Sequence, residues 1–391
     1  MHDAASASPS SLSVSTTATT ASDRCAAAPI SRIAADAYTI PTDAPEADGT
    51  FNWNSTTLVV AEVEAAGVTG LGYTYSDASV ATLIRHTLAD ALKGEDASDI
   101  QRLWLRMQRR VRNLGRDGIA ATAISALDCA LWDLHAKRLN VPLVKLLGQA
   151  RANVPVYGSG GFTTYTDDQM RVQLSRWVRD DGCRWVKIKI GSDPARDPGR
   201  VQCARDAIGD EAGLFVDANG AFDPKTALRF AEEFADLDVQ WFEEPVSSDN
   251  LAGLAAIRCA APPCMQVAAG EYGYTADYFR RMLEAESVDV LQADASRCGG
   301  VTGFIRAAHL ADAFHVPLSA HCAPALHLHA AAAVPGLSHQ EWFHDHARIE
   351  SMLFDGAPRV AKGSIVPDLS RPGCGLEFKR KDAQRFATSV P

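Results

Sequence analysis

From Pro155 onward the chain repeats one unit: a short apolar run, a polar residue at its end, then a helical stretch. The runs end near Tyr157, Lys189, Asp217, Glu243, Glu271, Asp294, His321 and His344, and after the first interval the steps are 28, 26, 28, 23, 27 and 23 residues. Each step fits one strand, one loop and one helix, and eight such parallel strands close into a (β/α)8 (TIM) barrel. An open doubly wound sheet is the alternative, but no glycine fingerprint opens its first unit. The fold class expected is therefore α/β.

The segment before the barrel has a different texture. Thr56–Glu64 alternates apolar and polar residues like a half-buried strand, and Gly67–Tyr75 supplies a turn and a second strand. Three helical stretches follow, Asp77–Lys93, Ser98–Asn113 and Gly118–Leu139. Together they predict an α+β unit over residues 31–152, ahead of barrel residues 153–350. Residues 1–30 are mostly Ala, Ser and Thr, with neither a basic n-region nor an apolar core, and read as a disordered leader. Two strand-like pieces near the end predict that residues 351–391 return to the first unit.

Composition narrows the function classes. The formal net charge is -10, which argues against a nucleic-acid partner held through phosphates. Nine scattered Cys without a CxxC pair read as reduced thiols, hence a cytoplasmic location. No run of 18 apolar residues occurs, so no membrane span is expected. Only nine of the 38 basic residues are Lys, yet two of them fall in Lys187-Ile188-Lys189. Their spacing of two puts both on one face of a strand.

In a barrel, all strand ends converge on one mouth. Asp217, Glu243 and Glu271 would repel one another there unless a cation compensates, and an all-oxygen set suits Mg²⁺. Lysines on one side and His321 on the other bracket a metal-bound carboxylate, a layout fit for removing the proton beside it. Asp294 can orient His321, and Lys189 can act as base if Lys187 and the cation lower its pKa. Arg297 can reach substrate or a neighbouring carboxylate, and Trp53 is a candidate lid residue. A strand-end acid is often only a cap or turn former, but three at successive ends argue against that. Glu244 should point away from Glu243, while His327, His329, Cys298 and Cys322 read as packing residues.

With these motifs in view, the sequence resembles the enolase superfamily, and within it the mandelate racemase-like group. The resemblance rests on Lys187/Lys189, Asp217-Ala218-Asn219, Glu243-Glu244-Pro245, Glu271, the DASRCGG segment from Asp294, and His321, and covers residues 31–385. It implies a modified (β/α)8 barrel of (β/α)7β type under an N-terminal α+β capping domain, and a homo-oligomer. It implies one Mg²⁺ per active site on Asp217, Glu243 and Glu271. It also implies Lys189 as base, a His321–Asp294 dyad, Lys187 on the substrate carboxylate or enolate, and Asn219 near the metal. The group commonly has a Glu ending its eighth strand. Here the segment reads Glu341-Trp342-Phe343-His344-Asp345, so by strand end His344 or Asp345 takes that place and Glu341 falls too early. The expected activity is dehydration of an acid sugar, an aldonate or aldarate, to a 2-keto-3-deoxy acid. A 2-hydroxyacid racemase or epimerase and a noncatalytic barrel are the alternatives. The expected partner is a small carboxylate substrate, with specificity set by the Pro41–Thr56 loop, the loop near Ser76 and the eighth strand end.

Overall fold

The computed structural model describes residues 26–388, so the leader expected over residues 1–25 lies outside the described residues. Residues 26–30 belong to the cap. Ala28 N–H donates to Asp96, and the first strand, β1 (Ile30–Ala47), starts at Ile30. It pairs antiparallel with β2 (Asn52–Ala65), which pairs with β3 (Val68–Tyr75). The cap sheet thus has three strands where the sequence predicts two. Half of β1 is Ala, Asp and Pro, which carry little strand propensity.

The Pro41–Thr56 segment is not a loop. It forms the far ends of β1 and β2, joined by a turn in which Asp48 accepts hydrogen bonds from the Thr50 and Phe51 N–H groups. This hairpin reaches the barrel, where Thr163 N–H donates to the Ala47 carbonyl. The cap helices follow, the longest being Ile119–Leu139. That helix is buried on nearly every side because it lies between the cap sheet and the barrel helix Gly300–Ala313. Asp128 accepts from both Thr302 N–H and its hydroxyl, and a Cβ on Gly300 would fall 2.3 Å from the Asp128 carboxylate. The Gly299-Gly300 pair thus lets the cap dock closely.

The barrel strands are β4 (Val154–Gly160), β5 (Trp185–Lys189), β6 (Gly213–Asp217), β7 (Val239–Glu243), β8 (Gln266–Ala269), β9 (Val290–Ala293), β10 (Leu318–Ala320) and β11 (Leu337–Phe343). They pair in parallel in chain order, and β11 closes on β4. Seven helices fill the intervals, and an eighth, His344–Leu353, follows β11. The strands are buried on both faces and read as continuous apolar runs, as a covered parallel sheet requires. Tyr157, Phe215, Trp241 and His339 pack inside the barrel as an aromatic floor, with Phe215 stacked on Trp241. After β11 the chain pairs Ser364–Ile365 against β4, and Thr388 N–H donates to the Ala37 carbonyl of the cap.

One glycine sets a functional position. Gly270, between β8 and Glu271, has φ 134, and a Cβ there would sit 2.1 Å from the Gln292 carbonyl oxygen. A Gly270→Ala chain is expected to lose about 3 kcal/mol or more of stability, because backbone strain and an unrelievable clash add. The urea midpoint reads this directly; an unchanged midpoint would show that the turn relaxes freely.

Candidate active site

Lys189, Asp217 and Glu243 are consecutive Cα partners across β5, β6 and β7. The three strands therefore stop at one level with their last side chains in the barrel mouth. Gly270 carries Glu271 in from β8, while Asp294 and His321 each follow the last residue of their strand. Asp217, Glu243 and Glu271 are all buried, and one oxygen from each lies within 4.8 Å of the others.

Two ammonium groups border these acids. Lys187 Nζ lies 2.5 Å from Glu243 Oε1, 2.8 Å from Glu341 Oε1 and 3.3 Å from Asp217 Oδ2, while Lys189 Nζ lies 2.5 Å from Asp217 Oδ2. On the other side His321 Nδ1 is 2.8 Å from Asp294 Oδ2, and its Nε2 is 3.2 Å from Glu271 Oε2. Arg297 sits 3.3 Å from Glu271 and 3.6 Å from Asp294. From below, the Trp241 indole N–H donates to Glu243 Oε2 at 2.9 Å.

Burial and crowding shift these groups. Glu243 is pushed up to about 8, first by burial and then by Asp217. Burial alone would lower both lysines, but ion pairs raise them above their ordinary values, led by Glu243 for Lys187 and by Asp217 for Lys189. The expectation of a lowered Lys189 applies with a cation bound; without one, its carboxylate neighbours, Asp217 first, raise it while Lys187 opposes them. Burial likewise opposes protonation of His321, yet its pKa is raised well above the ordinary value. Cys322 is itself pushed to about 12 and is neutral at pH 7, so Glu271, Glu341 and Asp294 favour the imidazolium. Asp294 is held below the usual carboxylate range: burial opposes this, and the His321 hydrogen bond outweighs it.

The donor set fits magnesium. It offers carboxylate oxygens only, and the buried Asn219 Oδ1 nearby has no hydrogen-bond partner. Above it lies a cavity of about 300 Å³ whose wall includes Lys189, Asn219, Glu271, Arg297, His321 and Trp53. Lys187, Asp217, Glu243 and Asp294 lie just beneath.

His344 is a correction. β11 ends at Phe343, and His344 opens the next helix, turning to Asp43 at the rim of a separate cavity. Asp345 turns aside too, accepting from Thr56 and Arg348. The inward positions of β11 are His339, Glu341 and Phe343, so the acid at the eighth strand is Glu341. It accepts from the Ser159 hydroxyl at 2.6 Å and the Cys322 N–H at 3.0 Å, and lies 3.6 Å from His321 Nε2. The signal that finds it is strand alternation counted from Leu337, not the position of the last residue.

Other residues fall differently from expectation. Cys322 is buried but lines the cavity, with Sγ 3.3 Å from His321 Nε2. Tyr75 and His346, stacked with centroids 3.5 Å apart, also line it and carry no sequence signal. Glu244 is buried, with one oxygen lacking a partner, and is held well above its ordinary pKa by burial first and Glu271 second. His327 and His329 accept backbone N–H bonds from Ala295 and Val144, which makes them structural.

Residues 169–383 match the family described as enolase C-terminal domain-like, and residues 39–148 match the mandelate racemase / muconate lactonizing enzyme N-terminal domain. The chain is 35% identical over 362 residues to the 3,6-anhydro-alpha-L-galactonate cycloisomerase of Streptomyces coelicolor, covering 90% of this chain and 98% of that protein. It is 34% identical over 310 residues to the L-talarate/galactarate dehydratase of Salmonella typhimurium, covering 76% and 77%. A mandelate racemase/muconate lactonizing enzyme-like protein from Rubrobacter xylanophilus superposes with TM-score 0.90 at 46% identity, over 92% of this chain and all of the other. A Streptomyces coelicolor racemase with bound magnesium gives TM-score 0.87 at 34% identity over the same shares.

Proposed function

The chain belongs to the mandelate racemase/muconate lactonizing enzyme group of the enolase superfamily, and we propose that it dehydrates an aldonate to the 2-keto-3-deoxy acid. It is a metal-dependent enzyme, and its cofactor is Mg²⁺. The observation that carries the reading is the pairing of Lys189 and the His321–Asp294 dyad across one triad of buried acids.

Asp217, Glu243 and Glu271 would hold the Mg²⁺, which when bound supplies the positive charge that makes a proton beside a carboxylate removable. The residues do the rest. Lys187, fixed by Glu243 and Glu341, keeps positive charge beside the substrate carboxylate. Lys189 takes the α-proton from one face. His321, kept protonated by its carboxylate neighbours, gives a proton to the departing 3-hydroxyl; for the opposite α-configuration its neutral form would be the base. Asp294 holds its Nδ1–H, which leaves Nε2 facing the cavity.

A charge census favours an aldonate over an aldarate. Among the described residues, the cap side of the cavity offers Thr56, Tyr75, Ser76 and Trp53, and the acid Asp48, but no Lys or Arg. Arg297 is committed to Glu271 and Asp294. His346 is pushed down to about 3 by burial above all, so it is neutral. A second carboxylate at the far end of the substrate would meet Asp48 and find no cation. With Mg²⁺ present, an aldonate is expected to react about 100-fold or more faster, in kcat/KM, than the matching aldarate, since like-charge placement costs several kcal/mol. Equal turnover of the aldarate would sink this choice.

The racemase or epimerase reading uses the same residues, and a magnesium-bound racemase is among the similar structures. Deuterated water separates the two. Loss of water with keto-acid product supports dehydration, whereas α-exchange with no loss of water supports racemisation.

A further inference from the structure

At the junction of the cap hairpin and the barrel rim, Asp43 and Glu46 of β1 meet His344 at the start of the last barrel helix. One carboxylate oxygen from each acid and a ring nitrogen of His344 lie within 4.8 Å of one another. Glu46 has no exposed surface, and the Trp53 indole N–H donates to its Oε2 at 2.8 Å. Its Oε1 is buried and has no partner. An unpartnered buried carboxyl oxygen is costly, and nearby cations do not relieve it. Arg348 is spent on Asp345 and on the Pro41 carbonyl. His344 Nε2 lies 2.9 Å from Asp43 Oδ2, and these two side chains keep 25% and 46% of their surface, so the cluster opens to solvent on one side.

We infer that Asp43, Glu46 and His344 form a second divalent-cation site, distinct from the catalytic triad and selective for a transition ion such as Zn²⁺. One imidazole nitrogen and two carboxylates, with water completing the shell, is a donor set for zinc rather than magnesium. Tetrahedral ligands about 2.0–2.2 Å from a common ion stand about 3.3–3.6 Å apart, so the longest separation in the cluster has to close by about 1.5 Å at most, within reach of side-chain rotation at a rim that is open on one side. The ion supplies the missing partner of Glu46. It also offsets the burial, and then the Asp345 charge, that push this carboxyl up to about 9. The Trp53 N–H is the outer hydrogen bond that orients the Glu46 ligand. Because Trp53 also forms part of the active-site wall, the ion clamps the cap hairpin over the barrel mouth.

The test is metal content of the full chain, stripped with chelator and dialysed against micromolar Zn²⁺ with millimolar Mg²⁺. The expected result is one equivalent of zinc in addition to magnesium in the parent chain, none in Glu46→Gln or His344→Asn, and one in an Asp217→Asn/Glu271→Gln chain whose catalytic site is disabled. Zinc that merely replaces magnesium one for one, or that persists in both Glu46→Gln and His344→Asn, overturns the assignment. If Glu46→Gln fails to fold, His344→Asn decides alone, since that side chain sits at the rim.

Discussion

Chelation is expected to take turnover to background, and Mg²⁺ to restore it fully; Glu243→Gln is expected to lose about 10³-fold or more in kcat with no rescue at ordinary Mg²⁺ concentrations. The reasoning begins with burial. Three buried carboxylates share one mouth, and Glu243 is already pushed up to about 8, by burial first and by Asp217 next. Glu243 and Asp217 are compensated by Lys187 and Lys189, whose ammonium groups lean on them, and Glu271 by Arg297 and His321. A lysine held that way is a poor base. With a cation held by Asp217, Glu243 and Glu271, that compensation would no longer fall to the lysines, and Lys189 could give up its proton. The cation would also supply positive charge toward the charge that develops on the substrate. Glu243→Gln removes one ligand charge and leaves Lys187 with Glu341 and Asp217, so the fold should persist while metal affinity falls. Calorimetric titration of Mg²⁺ into the variant measures that affinity. Parental affinity with parental turnover would show that Glu243 is not a ligand.

Much of this arrangement is legible in the sequence because strand geometry writes function at regular places. Lys189, Asp217 and Glu243 end apolar runs of nearly equal length, and their register in the barrel makes counting from strand ends reliable. The count fails where a strand ends differently. β4 runs on to Gly160, past Tyr157, and β11 stops at Phe343, so Glu341 two residues earlier is the inward acid and His344 is outside the site. β1 is hard to read because its Ala, Asp and Pro residues are held by pairing with β2, not by local preference. The cavity wall was least legible. Thr56, Tyr75 and His346 come from three separate elements, and only the docking of cap on barrel brings them together.

Lys189→Ala and His321→Asn are expected to fail in different ways, and the difference is the sharpest test of the proposed mechanism. Each removes a general acid–base group, so each should cost about 10²–10⁴-fold in kcat. The two groups sit on opposite sides of the triad, Lys189 Nζ against Asp217 and His321 Nε2 against Glu271. A substrate carboxylate bound over the triad therefore presents one face of its α-carbon to each. For a substrate whose α-proton faces Lys189, Lys189→Ala should abolish both deuterium exchange and product. His321→Asn should leave α-proton exchange while blocking loss of the 3-hydroxyl, because only the acid is missing. For the epimeric substrate the exchange defect should move to His321→Asn. Asp294→Asn should resemble a weaker His321→Asn, since it keeps a partner for the ring but removes the charge that holds it protonated. NMR of the α-proton in deuterated water, run beside a keto-acid assay, follows exchange and elimination separately. Identical profiles for the two variants on both epimers would mean that a single residue handles the proton, and the assignment of two faces would have to be abandoned.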